Sequence, residues 1–394
     1  MHSVYANCIV NLSLAQVAHP GQSCFGGYTF DSTPPFEAEA VGRAHGRGSR
    51  EIHNYTVLSI DYFQEALYRQ PVGRRAWVMQ ERLLATRVLS IAHGELFWDC
   101  YQVPHASESL PNGFTLCSEL QRGFFKRVLH LSIPSLPHAW SIEELEEIWS
   151  GILEEYTARE LTYPQADKLV ALSAISIDVG YFLNDTYLCG HLRRTVPRSL
   201  NWKTIGHFYR QSLLNKHAPK RLPKSSGQMI DGDWHITPSW SWASMDCPIS
   251  TLGTLARSIT FFAVMEAYKL FPVGRTEPEA KSGNKLLLTI RTLCHIIEWR
   301  NGGPEYNDVY AKIFKMDDMD DLLADGSQYL LAGLGHHNNL DVVQGLILRE
   351  IDFDGNKVYE RMGHFSCFLR ETDANRNGGW KTHFTHGERS ITLC

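Results

Sequence analysis

The chain has 394 residues and 43% apolar against 21% charged residues, more than one hydrophobic core usually carries, so two or three packed units are expected. That composition excludes a disulfide mini-protein and wholesale disorder. With 38 basic and 43 acidic residues the net charge is −5, which gives no general pull toward nucleic-acid phosphates or anionic lipid.

A helix already in progress at Met1 is expected from Val4-Tyr5-Ala6, followed by a half-buried strand alternating over Ile9 to Leu14. The start of the chain lacks a basic n-region, and Asn11, Ser13 and Gln16 interrupt its apolar stretch, so a secretory signal is not expected. Pro20 to Arg50, rich in Gly, Ser and Pro, reads as a long surface loop. Ala76, Met79 and Leu83 mark one face of a helix over Arg75 to Leu84, and Thr86 to Ile91 with Glu95 to Cys100 read as a hairpin. Ser141 and Glu144 form a capping box for a helix whose apolar face runs through Ile142, Leu145, Ile148, Trp149, Ile152, Leu153 and Tyr156. A second helix is expected over Ala166 to Ile175, then a mixed, loop-rich stretch to about residue 220, with basic residues from Lys216 to Lys224. Beyond about Ser258, strands are predicted at Lys285 to Ile297, Gln328 to Leu334, Val342 to Ile351 and Lys357 to Phe365, with Asp354-Gly355 turning between the last two. The expected division is 1–105, 106–257 and 258–394. No apolar run approaches the roughly 20 residues of a membrane helix. Nine scattered Cys without a C-x-x-C pair suit reduced thiols in a cytosol.

Few constellations carry chemistry. Glu81, one helical turn after Trp77, is either a carboxyl with a pKa raised among aromatics or a surface partner of Arg75, Arg82 or Arg87. The spacing predicts buried Trp77 and Leu83, and a Glu81–Arg82 ionic group. Glu143, Glu144, Glu146 and Glu147 read as the solvated face of their helix. His336-His337 and His383-x-x-His386 lack a third ligand at a recognised spacing, so no metal is expected. No nucleophile elbow or phosphate loop occurs, and the Gly42 to Gly48 run lacks the flanking strand and helix of one. Trp240 and Trp242 share one side of any extended segment, facing away from Ser239 and Ser241. They either plug a seam against the helix after Ser141 or offer a platform to a flat ligand such as a nucleobase.

Several strings together resemble the fungal heterokaryon-incompatibility (HET) domain. RRAWVMQERLLATRVLSIAHGELFWDC, Arg74 to Cys100, is similar to the domain's closing segment, with Arg75, Trp77, Gln80, Glu81, Arg82, Leu83, Arg87, Trp98 and Cys100 on its pattern. Ser3 to Ala15 resembles its I-Y-x-N-A-x-x-T-I-x-A segment through Tyr5 and Asn7, with Cys8 replacing Ala and Leu12-Ser13 standing for Thr-Ile. Tyr156 to Ile175, with Asp167 and Leu169, Thr186 to Lys203, and Thr237 to Ile249, with Trp240 and Trp242, are similar to segments that follow such domains. The likeness runs to about residue 260 and is faint beyond.

That resemblance implies an α/β fold, a remnant related to TIR domains, with a mixed helical middle and a β-rich C-terminal part after it. It implies a function in self/non-self recognition between fungal strains, ending in programmed cell death, with a protein partner in the cytoplasm and neither nucleic acid nor membrane involved. Family members open upstream of the position of Met1, with a D-W-x-x-E helix whose Glu is the counterpart of the TIR carboxylate that cleaves NAD. The expectation is therefore a chain inactive alone, with no cofactor. NAD would be a substrate of a complete member only, and Glu81 the remaining weak catalytic candidate. The alternatives are a non-catalytic interaction scaffold, a TIR-like NAD-cleaving hydrolase and a remnant without independent function.

Overall fold

The computed structural model describes residues 2–24, 35–43, 50–59, 61–92, 95–100, 102–103, 105–113, 142–205, 219–251, 259–273, 283–300, 303–304, 311–318, 325–337, 342–368, 384 and 386–394. Two compact units divide the chain, Met1–Ala139 and Trp140–Cys394. Residues 140–257 and the β-rich end thus fall in one unit, and residues 106–139 in the other.

The first unit mixes short helices with small sheets. Helix α1 (His2–Ala6) precedes β1 (Asn11–Leu14), and β2 (Phe36–Arg43) pairs with β3 (Arg50–Val57). Helix α2 (Ala76–Leu84) leads into β4 (Arg87–Ala92), β5 (Glu95–Cys100) and β6 (Ala106–Ser107), in a sheet of order β1-β4-β5-β6. Only β1 and β4 run parallel, Asn11 opposite Val88 and Leu14 opposite Ile91. β1 alternates as expected but with its apolar side outward: Leu12 is 63% exposed, while Asn11 and Ser13 are half-buried. The long-loop reading of Pro20 to Arg50 is corrected, because Phe36-Glu-Ala-Glu-Ala-Val and Ile52-His-Asn-Tyr-Thr-Val pair as strands across the Gly-rich stretch. A turn of π-helix, Gln64–Tyr68, carries Ala66 and Leu67 into a small core with Tyr62, Phe63, Ala92 and Phe97.

The second unit opens on α3 (Ile142–Thr157), α4 (Pro164–Asp167) and α5 (Val170–Leu183). Ser141 of the capping box lies outside the described residues, whereas Ile148, Trp149, Ile152, Leu153 and Tyr156 are buried as their spacing requires. The helix expected over Ala166 to Ile175 is two pieces. It breaks after α4, and its second piece continues to a left-handed Asn184. Short strand pairs follow: β7 (Tyr187–Leu188) with β8 (His191–Leu192), and β9 (Lys203–Thr204) with β12 (Ile249–Ser250). β10 (Gly227–Ile230) pairs with β11 (Asp233–Ile236).

An eleven-stranded sheet takes in β10, β11, β13 (Ile259–Phe261), β14 (Val264–Val273), β15 (Gly283–Arg300), β16 (Gly303–Pro304) and β17 (Ala311–Met316). It is completed by β18 (Gln328–His337), β19 (Val342–Phe353), β20 (Asn356–Phe368) and β21 (Glu388–Leu393). β15 pairs with β21 through its first half and with β18 through its second, so the pairings β15-β21-β20-β19-β18-β15 close on themselves. β18 and β19 are buried on both faces: Leu330, Leu334, Leu346 and Leu348 pack with Trp240, and Leu331, Val343 and Ile347 with Phe365. That double burial explains why Tyr329-Leu-Leu-Ala reads as a continuous apolar run instead of an alternation. Among the described residues, no helix is long and apolar enough to cross a membrane.

Candidate functional site

In the first unit, α2 gathers residues from two separated motifs. The Tyr5 hydroxyl donates to the Glu81 carboxylate, with Arg75 nearby. Burial raises the Glu81 pKa above the usual carboxylate value, opposed by the Tyr5 hydrogen bond and by Arg75. Burial, together with Glu81, pushes the Tyr5 phenol up to about 12. The expected Glu81–Arg82 group is replaced by two separate ones, because successive helix positions point about 100° apart. Arg82 lies 4.5 Å over the Tyr68 ring, donates to its hydroxyl at 3.0 Å and sits 3.9 Å from Asp99. Gln80 and Leu83 are buried, but Trp77 is only half-buried, which corrects its assignment to the core. Asn7 caps α1 locally through the Ser3 carbonyl at 2.8 Å, Arg87 donates to the Ile9 carbonyl at 3.4 Å, and Trp98 and Cys100 are half-buried on β5.

In the second unit, Leu169 is buried beside the α4–α5 break, and Asp167 ends α4. The extended reading of Trp240 and Trp242 is corrected. Ser241 caps a 3₁₀ turn over Trp242–Ser244, so the two fully buried indoles diverge. Trp242 meets Tyr156 of α3 edge-on at 6.0 Å, whereas Trp240 joins the leucines of the sheet. The Ser side chains are buried as well. Ser239 donates to the Cys394 carbonyl and accepts the Arg361 backbone N–H at 3.0 Å, and Ser241 donates to the Cys189 carbonyl at 2.5 Å.

A hub that sequence reasoning missed lies beneath them. Arg361, fully buried on β20, donates from Nε to Asp317 at 2.7 Å, from Nη2 to Asp317 at 3.2 Å, and to the Leu200 and Trp202 carbonyls at 2.6 and 2.7 Å. Its guanidinium carbon is 3.4 Å from the centre of the Trp202 ring. His364 donates from Nε2 to Asn201 Oδ1 at 2.7 Å, and Asn201 donates from Nδ2 to Gln344 at 2.9 Å. The strand itself, Asn-Lys-Val-Tyr-Glu-Arg-Met-Gly-His-Phe-Ser-Cys-Phe, mixes charged and apolar residues, so nothing along it singles out Arg361.

Beside this hub, α3, β8 and the turns after it enclose a cavity of about 420 Å³, its opening to solvent included. Trp149, Trp202 and Trp242 form its aromatic wall. Glu146, expected on a solvated face, is instead buried on this wall and ion-paired to Arg198 at 2.8 Å. His191 is placed by a two-residue turn, Cys189-Gly190, with φ of 43° and 100°. Gly190 is required twice over. Its φ is left-handed, and an added Cβ would sit 2.6 Å from the Trp242 ring nitrogen that donates to the Gly190 carbonyl at 2.8 Å. Nδ1 of His191 bonds the Ser199 hydroxyl at 2.9 Å, while its Nε2 and the Trp149 Nε1–H are both buried without a protein partner.

No family model, curated protein or solved structure matches this chain. The Ser199–His191 contact has the length of a nucleophile–base pair, yet burial, aided by the Arg361 charge, lowers the His191 pKa to about 3. An imidazole that resists protonation so strongly is a poor general base. No three His, Cys, Asp or Glu side chains converge among the described residues, His383 lies outside them, and His336 and His337 follow one another along β18.

Proposed function

We propose that this chain is a protein of the fungal heterokaryon-incompatibility kind, acting in self/non-self recognition that leads to cell death, and that it acts by binding rather than turnover. The observation that carries this is the meeting of two motif segments: Tyr5 of Ser3–Ala15 bonds Glu81 of Arg74–Cys100, and β1 lies parallel to β4 beside them. A parallel strand pair next to a helix is the element from which a TIR-like α/β unit is built, which is our reading of the first unit. Glu81 is engaged by a phenol and His191 is a weak base, which supports a role in binding. The partner would be a protein, since the charge of −5 draws no polyanion, and the setting the cytosol, where the eight described cysteines are free thiols.

Introduced into fungal strains of differing compatibility, the chain should change which fusions die, scored by vital-dye uptake. Unaltered pairing outcomes would remove the recognition role. Purified chain incubated with NAD should release nicotinamide only at background. One observation favours a second reading: a half-buried carboxyl with a raised pKa, such as Glu81, can hold a proton for a leaving group. Turnover that falls by about 10²- to 10⁴-fold in Glu81→Gln would replace the binding role with NAD cleavage.

A further inference from the structure

We infer that the cavity between α3 and β8 is a binding site for a small, uncharged, planar molecule carrying an amide or lactam edge. It stands apart from the recognition role proposed above and does not rest on it. Three features define the ligand. The first is a pair of orphaned nitrogens, Trp149 Nε1 and His191 Nε2, both buried and without a protein partner, on two residues that line the cavity. An indole N–H can only donate, so the ligand must offer an acceptor. The imidazole can do either, because the Ser199 hydroxyl can donate to Nδ1 or accept from it, leaving Nε2 with or without its proton. A carbonyl next to an N–H meets both demands.

The second feature is charge. Glu146 and Arg198 neutralise one another at 2.8 Å, and His191 stays neutral, so the site offers no net charge to a carboxylate or an ammonium group. A charged guest would lose its hydration without compensation. The third is shape. Trp149, Trp202 and Trp242 are among the residues that line the space, and its enclosed part has room for roughly two or three water-sized groups, so a single ring entering edge-first is what fits. A ring amide engages the two nitrogens and the aromatic lining together.

The test uses the full chain, with 2-pyridone and uracil as probes and benzoate and benzamidinium as charged controls of similar size. Saturation-transfer NMR should show saturable binding of a neutral probe with Kd of about 10 mM or tighter, and nitrogen-15 spectra should show a shifted His191 Nε2 resonance. Trp149→Phe, which keeps a ring and deletes the donor, should weaken binding about tenfold, and Ser199→Ala should also weaken it by releasing the imidazole. Three results would each overturn the proposal. These are no saturable binding of either neutral probe, competition by benzoate as effective as that by the second neutral probe, and binding with an unmoved His191 resonance. The His191 signal is read in the unaltered protein, so the outcome stands even where a variant fails to fold.

Discussion

Arg361 illustrates how one residue organises the second unit. A guanidinium with no solvent contact loses its hydration, and the structure offsets that with a bidentate carboxylate, two backbone carbonyls and an indole face. Among the described residues Asp317 is the sole carboxylate bonded to it, and it also lies 3.8 Å from Arg221. Asp317→Ala should therefore cost about 3–5 kcal/mol in urea unfolding, the usual penalty for a buried charge left without its counterion. Adding Arg361→Met in the same chain should recover part of that loss, because the stranded charge is then gone. A double variant less stable than Asp317→Ala would show that the carbonyl and indole contacts outweigh the ion pair.

At the scale of elements, helix α2 was legible from its spacing, and its buried set of Ala76, Met79 and Leu83 follows the i, i+3, i+7 rule. Trp77 was not, because size argues for burial while position decides it. Leu83→Ala should lower stability by about 2–5 kcal/mol, and Trp77→Ala by less than about 3 kcal/mol, since part of its surface transfer is never realised. Equal shifts in melting temperature would return Trp77 to the core. The β19–β20 hairpin was announced by Asp354-Gly355, whose φ values of 54° and 74° are those a tight two-residue turn demands. The β2–β3 hairpin escaped notice because small and charged residues carry its alternation, and the exposed Phe36, Ile52 and Tyr55 gain little from it. The two-piece helix at α4–α5 escaped because the break follows from tertiary anchoring. Lys168 donates from Nζ to the Met245 carbonyl, and its own carbonyl accepts from Tyr156 at 2.5 Å.

The Trp140–Cys394 unit as a whole carries a pH dependence that its buried histidines set. Burial, with Lys203, Arg361 and Lys315 adding to it, holds His364 well below the ordinary imidazole value, and His191 is lowered to about 3. Both bind a proton more readily unfolded than folded, so stability is full above pH 6.5 and falls as pH drops below it. Each such histidine costs up to about 1.4 kcal/mol per pH unit over that window. Urea midpoints of this unit should fall between pH 7 and pH 5, and His191→Gln should flatten part of the slope. A midpoint independent of pH in that interval would place both imidazoles in contact with solvent. Glu81 works in the opposite sense in the first unit. Its raised pKa favours the protonated folded form, so Glu81→Gln should be most favourable near pH 7 and lose its advantage toward pH 4.

By itself the sequence determined the local rules: periodicity set α2, α3 and the long strands β15, β18, β19 and β20, and turn chemistry set the Asp354-Gly355 hairpin. It also brought Trp240, Trp242 and Glu81 to attention, since rare residue types in tight spacing are visible along one dimension. Only the tertiary structure decided what these residues touch. Trp240 and Trp242 diverge because a 3₁₀ turn replaces an extended strand, and Glu146 leaves the solvated face because Arg198, fifty-two residues on, neutralises it. The hub of Arg361 and the cavity of His191 and Trp149 were not readable at all. Partners in the hub lie up to 163 residues apart, and such polar pairings are selected by three-dimensional proximity and desolvation, for which spacing along the chain carries no signal.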